Sequence, residues 1–547
     1  MIFSRPVAAA AALAAALVLG GCGSTEEKAE TGGGAPVKGG SVVFAVDTEP
    51  VSFDAHVSAQ DITGTILRNV FDSLVYQDAE GKFQPWLAES WEVADDLKSY
   101  TFKLRKDVKF TDGTAFDAEA VKVNFDRIHD PKTKSQLASS LLGPYTGTEV
   151  VDANTAKVSF SEPFAPFLQA ASTAYLGFYS PKAIKDSGDK LAAGGPVAVG
   201  TGPFVFSAYA KGQSADFTRN DAYAWAPKGA ANQGAPYLDK LTIRFLPESS
   251  VRVGALTSGQ IQLAAGVPPQ DVEGIKGNAN LTLDSKDFPG GNYALYLNAS
   301  KAPFNDEKVR KAVQLGVNVD AGVKSLYFGQ YKRAWSPLSP ATEGYTNKLE
   351  NSWPYDEAAA NKLLDEAGWT TKDGDGYRTK DGKRLVIDWP LLPAAYVKDK
   401  RDILGQAFQA DLKKIGVEVK RPQDDIGTYI ANVYGGKADI ADYSWARSEP
   451  DVLWLLFNGA SDPRKGGQNA TFLVDKELTD LTNEGRATLD PAKRAEVYGK
   501  VQERAIQLGL VIPVYTPSAV IGRAKAVEGV GYDANAWPLF QGAWLAK

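Results

Sequence analysis

Hydrophobic and polar positions follow two periods along this chain, one typical of strands and one typical of helices. Apolar and β-branched residues fill Ser41–Val46, and apolar residues alternate with polar ones over 100–104, so both stretches are predicted to be strands. Val121, Phe125 and Ile128 follow one another at spacings of four and three residues, which predicts a helix with one buried face. Both kinds of element therefore occur within the first part of the chain.

The same two periods recur through the rest of the chain. They predict further strands at 158–160, 241–245, 294–297, 385–389 and 510–515, and further helices at 307–315, 357–367, 401–415 and 492–508. This mixture predicts an α/β or mixed α+β fold class. The 547 residues exceed what one hydrophobic core usually organises, so we expect two to four domains.

The chain begins with a short apolar run, residues 8–19, that leads into Leu19-Gly20-Gly21-Cys22. The run is too short to cross a membrane and has the length of a signal-peptide core. Its ending resembles the lipobox of bacterial lipoproteins, which implies a signal peptide at 1–21 and a lipid anchor on the Cys22 thiol. The alternative is an ordinary export signal followed by a chance cysteine. Residues 22–40 are rich in Gly, Glu, Lys and Ala, which predicts a flexible tether.

Composition removes several classes of function. The 60 Lys and Arg residues against 66 Asp and Glu residues form no basic block, so nucleic acid is not an expected partner. Cys22 is the only cysteine and there are only two histidines. The sequence has no Gly-x-Ser-x-Gly elbow, no zinc-ligand spacing and no phosphate loop. We therefore expect no catalytic residues, no cofactor and no metal site.

Several short segments follow the tether in a characteristic order. They are VFDSLV at 70–75, PWLAESWE at 85–92, VKFTDGT at 108–114, GTGPF at 200–204, PFNDEKVRKAV at 303–313, ANKLLDEAGW at 360–369 and DLKKIGV at 411–417. In sequence and order they resemble the family 5 extracellular solute-binding proteins of ABC importers, the type that binds oligopeptides, dipeptides or nickel. The resemblance extends from about residue 40 to the C-terminus.

This resemblance implies a two-lobed, periplasmic-binding-protein-like fold of the large type, with an inserted subdomain, that closes around a ligand. The implied first lobe is at 41–75, 198–300 and 513–547, the inserted subdomain at 76–197 and the second lobe at 301–512. Gly200 and Gly202 would form a turn that uses positive φ, near a chain crossing that could act as a hinge. Permease subunits would recognise the closed form at the outer face of the cytoplasmic membrane, and we expect a monomer.

The ligand-specificity region implied by the resemblance is 438–451. In the family's peptide binders, the matching segment has Gly-Trp and then an Asp that pairs with the α-amino group of the peptide. Here Trp445 is followed by Arg447 near the place of that Asp, and a guanidinium there would favour a carboxylate or phosphate on the ligand. Glu449 and Asp442 remain candidate amine partners. Trp445 is either a pocket wall or a core residue, and Arg447 is either a ligand contact or half of a surface salt bridge.

Four more residues complete the predicted site. Ser58 and Gln60 match the family segment that offers its backbone to extended ligands, and Tyr443 and Tyr515 are aromatic candidates. We therefore expect a lipid-anchored receptor for peptides or peptide-like solutes. The alternatives are the same receptor for an oligosaccharide, an opine or a nickel chelate and, in a different class, a lipid-anchored enzyme or a sensory adaptor.

Overall fold

The computed structural model describes residues 34–393 and 397–546. The predicted signal peptide, the predicted anchor Cys22 and residues 22–33 of the predicted tether lie outside the described residues. Residues 34–40 have no regular structure and lead into the first strand. From there the chain alternates between strands and helices, which confirms the predicted mixed α/β class.

The first sheet has seven strands drawn from distant parts of the chain. In spatial order they are Leu281–Asp287, Ser518–Ala524, Leu263–Ala265, Ser41–Val46, Lys240–Phe245, Ser214–Arg219 and Phe204–Ala210. The central strand Ser41–Val46 pairs in parallel with both neighbours, whereas the other pairs are antiparallel. Phe44 enters the core on one face of this strand and Ala45 enters the core on the other. A strand buried on both faces requires the continuous apolar run seen in the sequence.

The second sheet has four antiparallel strands from a single stretch of the chain. In spatial order they are Ala88–Val93, Ser99–Leu104, Thr155–Phe160 and Tyr145–Asp152. Alternate residues of Ser99–Leu104 are buried, and the helix Ala118–His129 buries Val121, Phe125 and Ile128 in the same core. The strand period and the helix period predicted for these two elements are confirmed.

The third sheet is also four-stranded and antiparallel. In spatial order its strands are Lys332–Arg333, Val511–Thr516, Gly290–Leu297 and Ile440–Ala446. The two inner strands are buried along their whole length. The helices Val319–Tyr327, Val452–Phe457 and Pro491–Gln507 contact these strands.

The other elements surround these three sheets. The remaining helices are Asp61–Leu67, Ala138–Leu142, Phe167–Ala170, Pro181–Ser187, Ser249–Thr257, Val272–Lys276, Glu307–Gly316, Glu357–Glu366, Arg401–Lys414, Ile426–Tyr434 and Lys476–Arg486. Small sheets pair Val75–Gln77 with Phe83–Pro85, Val386–Asp388 with Glu418–Lys420, Val527–Glu528 with Trp544–Leu545 and Gly531–Tyr532 with Pro538–Leu539, and join Thr371–Lys372, Arg378–Lys380 and Lys383–Arg384. Every strand and helix predicted in the second half of the chain is present, with its ends within four residues. Within residues 34–393 and 397–546, no helix combines the length and the apolar character that crossing a membrane requires.

Two strands of the third sheet lie at the predicted domain boundaries. Gly290–Leu297, which the prediction assigns to the first lobe, pairs with Ile440–Ala446 and Val511–Thr516 of the third sheet. Val511–Thr516 itself spans the predicted boundary at 513. The sequence pattern could not assign these strands, because a strand buried on both faces looks the same in any sheet. The division into lobes stays a prediction, and the chain passes between the first and third sheets at 288–289 and at 517.

Candidate functional site

The predicted specificity region lies at the edge of the third sheet. The edge strand Ile440–Ala446 changes from buried to half-buried along its length. On the neighbouring strand, Gly290 has a φ of +98°, and a Cβ there would lie 2.1 Å from the carbonyl oxygen of Trp445 and 2.5 Å from the backbone nitrogen of Arg447. Only glycine permits this close approach. The Arg447 N–H donates to the carbonyl of Pro289 at 3.1 Å, so the backbone that carries the Arg447 side chain is fixed.

Arg447 is a buried residue whose guanidinium has no acceptor among the residues that the structure describes. The residue is 7% exposed, and its side chain makes no hydrogen bond or ion pair with any residue that the structure describes. The guanidinium carbon lies 5.2 Å from the centre of the Trp445 ring. Burial lowers the pKa of Arg447, while Tyr175 and Asp61 oppose that shift. A buried cation without an acceptor is costly, so this position is suited to an acceptor that a ligand brings.

An opposite charge comes from a different part of the fold. Asp61 opens the helix Asp61–Leu67, and its side chain is solvent-exposed. Protein nonetheless encloses it closely enough that desolvation raises the pKa of this carboxyl, against the charges of Arg447 and Lys398, which lower it. Beside it, the Tyr175 hydroxyl donates to the carbonyl of Gln60 at 2.9 Å. Asp61, Arg447 and Lys398 therefore lie near enough for their charges to interact, and we call the region between the segments that carry them the cleft.

The two predicted amine partners are already paired within the protein. Asp442 accepts from Trp389 Nε1 at 2.9 Å and from the Tyr293 hydroxyl at 2.7 Å, and burial raises the pKa of its carboxyl. Glu449 is 8% exposed and forms a buried ion pair with Arg494. Both carboxylates therefore stabilise the fold around the specificity region.

Tyr515 supports another arginine. It is fully buried, and its hydroxyl accepts from Arg401 Nε and donates to Asp399, both at 2.8 Å. The Arg401 guanidinium also stacks 4.1 Å from the centre of the Tyr293 ring and donates to Ser444 Oγ at 3.1 Å. Tyr515 thus belongs to a cluster behind the predicted specificity region whose polar side chains already hydrogen-bond to one another.

Tyr443 and Trp445 project from the same edge strand. The Tyr443 hydroxyl donates to the carbonyl of Gln468 at 2.8 Å, and its ring stacks on Tyr296 with centroids 4.4 Å apart. Trp445 is half-buried, and its indole nitrogen has no partner among the described residues. Trp445 is thus the aromatic ring that lies against Arg447, which is compatible with its interpretation as a pocket wall.

Ser58 and Gln60 form a rigid turn just before Asp61. The Ser58 hydroxyl shares a hydrogen bond with Thr63 at 2.9 Å and accepts from the Gln60 N–H at 3.2 Å. The Gln60 side chain accepts from the backbone of Val51 at 2.7 Å. Both side chains therefore serve the turn, and Asp61 is the residue of this segment whose charge the turn leaves available. Asp61 is not among the residues predicted from the sequence, although it is an acidic residue directly after the matched segment.

Gly200 and Gly202 have a different role from the one predicted. Neither adopts a positive φ. A Cβ on Gly200 would lie 2.1 Å from the carbonyl oxygen of Val70, and one on Gly202 would lie 2.5 Å from the same atom. The backbone carbonyl of Gly200 also accepts from the Thr111 N–H at 2.9 Å. Close packing, and not turn conformation, requires glycine here, and the hinge stays a prediction.

In the part of the chain that the structure describes, no group of three or more His, Cys, Asp or Glu side chains could hold a metal ion. The site is therefore built from a guanidinium, a carboxylate, an ammonium and aromatic rings. Such groups recognise a ligand by charge and hydrogen bonding.

Comparisons with known proteins place this geometry in context. The family model for bacterial extracellular solute-binding proteins, family 5 middle, matches residues 82–467. The glutathione-binding protein GsiB of Escherichia coli K12 is 27% identical over 502 residues, which cover 89% of this chain and 91% of the relative.

Solved structures are similar over nearly the whole chain. NikA from Brucella suis, in complex with Fe(III)-EDTA, is 26% identical with a TM-score of 0.80, covering 92% of this chain and 100% of its own. The periplasmic binding protein DppA from Helicobacter pylori, in complex with the peptide STSA, is 26% identical with a TM-score of 0.77, covering 93% and 99%. These matches confirm the predicted two-lobed fold of the large type.

Proposed function

The chain belongs to the bacterial extracellular solute-binding proteins of family 5, and we propose that it captures short peptides or peptide-like zwitterions for its ABC importer. Members of this family bind solutes and deliver them to a permease, so the predicted receptor role is confirmed and an enzymatic role is not indicated. We further propose that the protein is a monomer held at the outer face of the cytoplasmic membrane by acylated Cys22.

The observation that carries the proposed ligand class is the Arg447 guanidinium, which has no acceptor within the described ranges and interacts with the charge of Asp61. Arg447 binds the ligand carboxylate through paired N–H donors, and Asp61 attracts the ligand ammonium. Arg447 follows the third sheet and Asp61 opens a helix beside the first. A ligand that contacts both therefore favours the closed arrangement, since only such differential contacts shift a conformational equilibrium.

The relatives support this ligand class. GsiB is a glutathione-binding protein and DppA from Helicobacter pylori is in complex with the peptide STSA, and both of these ligands are peptides. A polycarboxylate metal chelate is a second candidate, because NikA from Brucella suis binds Fe(III)-EDTA and a lone guanidinium also suits a chelate carboxylate. Asp61 distinguishes the two, since its charge would attract an ammonium and repel a polyanion.

Titration calorimetry tests the carboxylate contact. The probes are the tetrapeptide Ser-Thr-Ser-Ala and its C-terminal amide, which lacks the carboxylate. We expect Arg447→Gln to weaken binding of the free acid by about 10- to 100-fold and to leave binding of the amide nearly unchanged, because hydrogen bonds to a charged group contribute about 1.5–3 kcal/mol. Arg464→Gln removes an exposed arginine of the same lobe, paired with Asp462, and is the matched control. Equal affinity for acid and amide in the unsubstituted chain would overturn the proposed contact.

The lipid anchor has its own test. Cells fed with a labelled fatty acid should incorporate the label into this chain, and Cys22→Ala should abolish that incorporation. Label that persists in the variant would contradict the anchor.

A further inference from the structure

Ser448, directly after Arg447, hydrogen-bonds to three segments that lie outside the third sheet. Its N–H donates to Asn535 Oδ1 at 3.1 Å, its hydroxyl donates to Gln77 Oε1 at 3.0 Å, and the same hydroxyl accepts from Gln169 Nε2 at 2.6 Å. All four residues are buried. We call this set of contacts the Ser448 junction.

The partners of Ser448 belong to the other side of the cleft. Gln77 ends the strand Val75–Gln77, and Gln169 lies in the helix Phe167–Ala170, whose Phe167 enters the core of the second sheet. Asn535 lies in the hairpin between Gly531–Tyr532 and Pro538–Leu539, and the neighbouring Trp537 enters that same core. The junction therefore joins the region of the third sheet, here called the second lobe, to the rest of the molecule.

On the second lobe the chain after Ser448 is held firmly. Glu449 pairs with Arg494, and Asp451 accepts from Arg486 Nε at 3.0 Å and from the Tyr498 hydroxyl at 3.0 Å. Ser448 thus stands on a rigid support. Any separation of the lobes must break its three contacts together.

A further hydrogen bond runs parallel to the junction, from the Ala165 N–H to the carbonyl of Arg486 at 2.8 Å. Gln77 and Asn535 also line a cavity of about 230 Å³, so water has a route to their amides once the lobes separate. Opening therefore exchanges buried hydrogen bonds for hydration, and each such bond contributes a net of about 1 kcal/mol.

We infer that Ser448 is a positioning residue for ligand capture: its junction stabilises the closed arrangement and aims the adjacent Arg447 into the cleft. This inference rests on the proposed function only in taking Arg447 as the ligand contact. A receptor that closes in part without ligand binds more tightly, because less of the binding free energy is used to populate the competent state.

Single-molecule FRET measures the closed-to-open ratio directly and counts closed molecules even where they are rare. The dyes are placed on Glu119→Cys and Lys476→Cys, two exposed positions on opposite sides of the cleft, in the full chain carrying Cys22→Ala. We expect Ser448→Ala, which removes two hydrogen bonds, to lower the ratio about 30-fold without added ligand. Ser448→Thr, which keeps the hydroxyl, should restore most of it.

Ser336→Ala is the matched control. Ser336 is also a buried serine of the second lobe, but its hydroxyl donates within that lobe, to Gln502 Oε1 at 2.7 Å. The Ser336→Ala variant should have a lower free energy of unfolding and an unchanged closed-to-open ratio. If Ser448→Ala fails to fold, Gln169→Met removes a single donor and should lower the ratio about fivefold. An unchanged ratio in the folded variant would overturn the inference.

The inference about the Ser448 junction and the proposed ligand contact at Arg447 can be contradicted independently. The ratio is measured without ligand, so it tests the junction whatever the solute is. Adding Ser-Thr-Ser-Ala to Arg447→Gln tests the ligand contact. Tight binding by that variant would remove Arg447 from the proposed function, while a reduced ratio in Ser448→Ala would still support the junction.

Discussion

Arg401 and Arg447 both lie beside the strand Ile440–Ala446, but their surroundings differ. Arg401 has Tyr515, Asp399 and Ser444 around its nitrogens and Tyr293 against its face. Arg447 has one aromatic ring and no acceptor among the described residues. An arginine side chain thus serves the fold at Arg401, whereas at Arg447 we propose that it serves ligand recognition.

The largest expected effect is a difference in how much the two arginines contribute to the stability of the fold. Arg401→Met should lower the free energy of unfolding by about 3 kcal/mol, because it removes charge-assisted hydrogen bonds to Tyr515 and Ser444 and leaves half-buried Asp399 without its cation. Arg447→Met should change it by less than about 1 kcal/mol, since no hydrogen-bond partner among the described residues is lost. Urea unfolding followed by circular dichroism measures both values. Equal losses would show that Arg447 also stabilises the fold and would weaken the comparison.

A third arginine, Arg127, makes the stability of the fold depend on pH through His56. Arg127 pairs with Asp54 at 2.5 Å and donates to His56 Nδ1 at 2.8 Å, so His56 Nε2 must carry the proton that it donates to the Gly177 carbonyl at 2.9 Å. Burial, together with the charge of Arg127, lowers the pKa of His56 from 6.5 to about 4.

Because the folded pKa of His56 is depressed, the unfolded chain binds a proton first as pH falls. The contribution of neutral His56 to the free energy of unfolding is fully present above pH 6.5. It decreases as the pH falls to about 4, by about 3 kcal/mol in total. His56→Gln should remove this part of the pH dependence of the unfolding free energy. If the unfolding free energy of the variant changed with pH as steeply as that of the unsubstituted chain over this range, the interpretation of His56 as a buried neutral histidine would be wrong.

The smallest expected effect concerns the charge opposite Arg447. Asp61→Asn should weaken binding of Ser-Thr-Ser-Ala by about tenfold, because the ligand ammonium loses an opposite charge. Stability should be unaffected, since Asp61 makes no side-chain hydrogen bond with a residue in the described ranges. Asp95→Asn, an exposed acid of the second-sheet region, is the matched control. Calorimetry that finds equal affinity in Asp61→Asn would restrict recognition to Arg447.

Much of the fold could be predicted from the sequence because periodicity reports local burial. Val121, Phe125 and Ile128 are buried as their spacing predicts. The sheet to which Gly290–Leu297 belongs could not be predicted, because its residues are buried throughout and its partners are distant in sequence. Likewise, no local pattern shows that Gly202 must be glycine to pack against Val70.

The candidate site could be predicted only in part, for a related reason. Arg447 and Trp445 stand out locally, and the structure brings them together. Whether an acidic residue is free to bind a ligand depends on side chains far away in sequence. Glu449 is paired with Arg494 and is unavailable, whereas Asp61 remains available.

Native mass spectrometry of the gently purified chain, with fragmentation of any solute that it releases, identifies the bound ligand itself. We expect a peptide or peptide-like zwitterion with a free carboxylate in the unsubstituted chain, and its loss from Arg447→Gln. A neutral sugar retained equally by both proteins would show that neither the proposed ligand class nor the Arg447 contact is right.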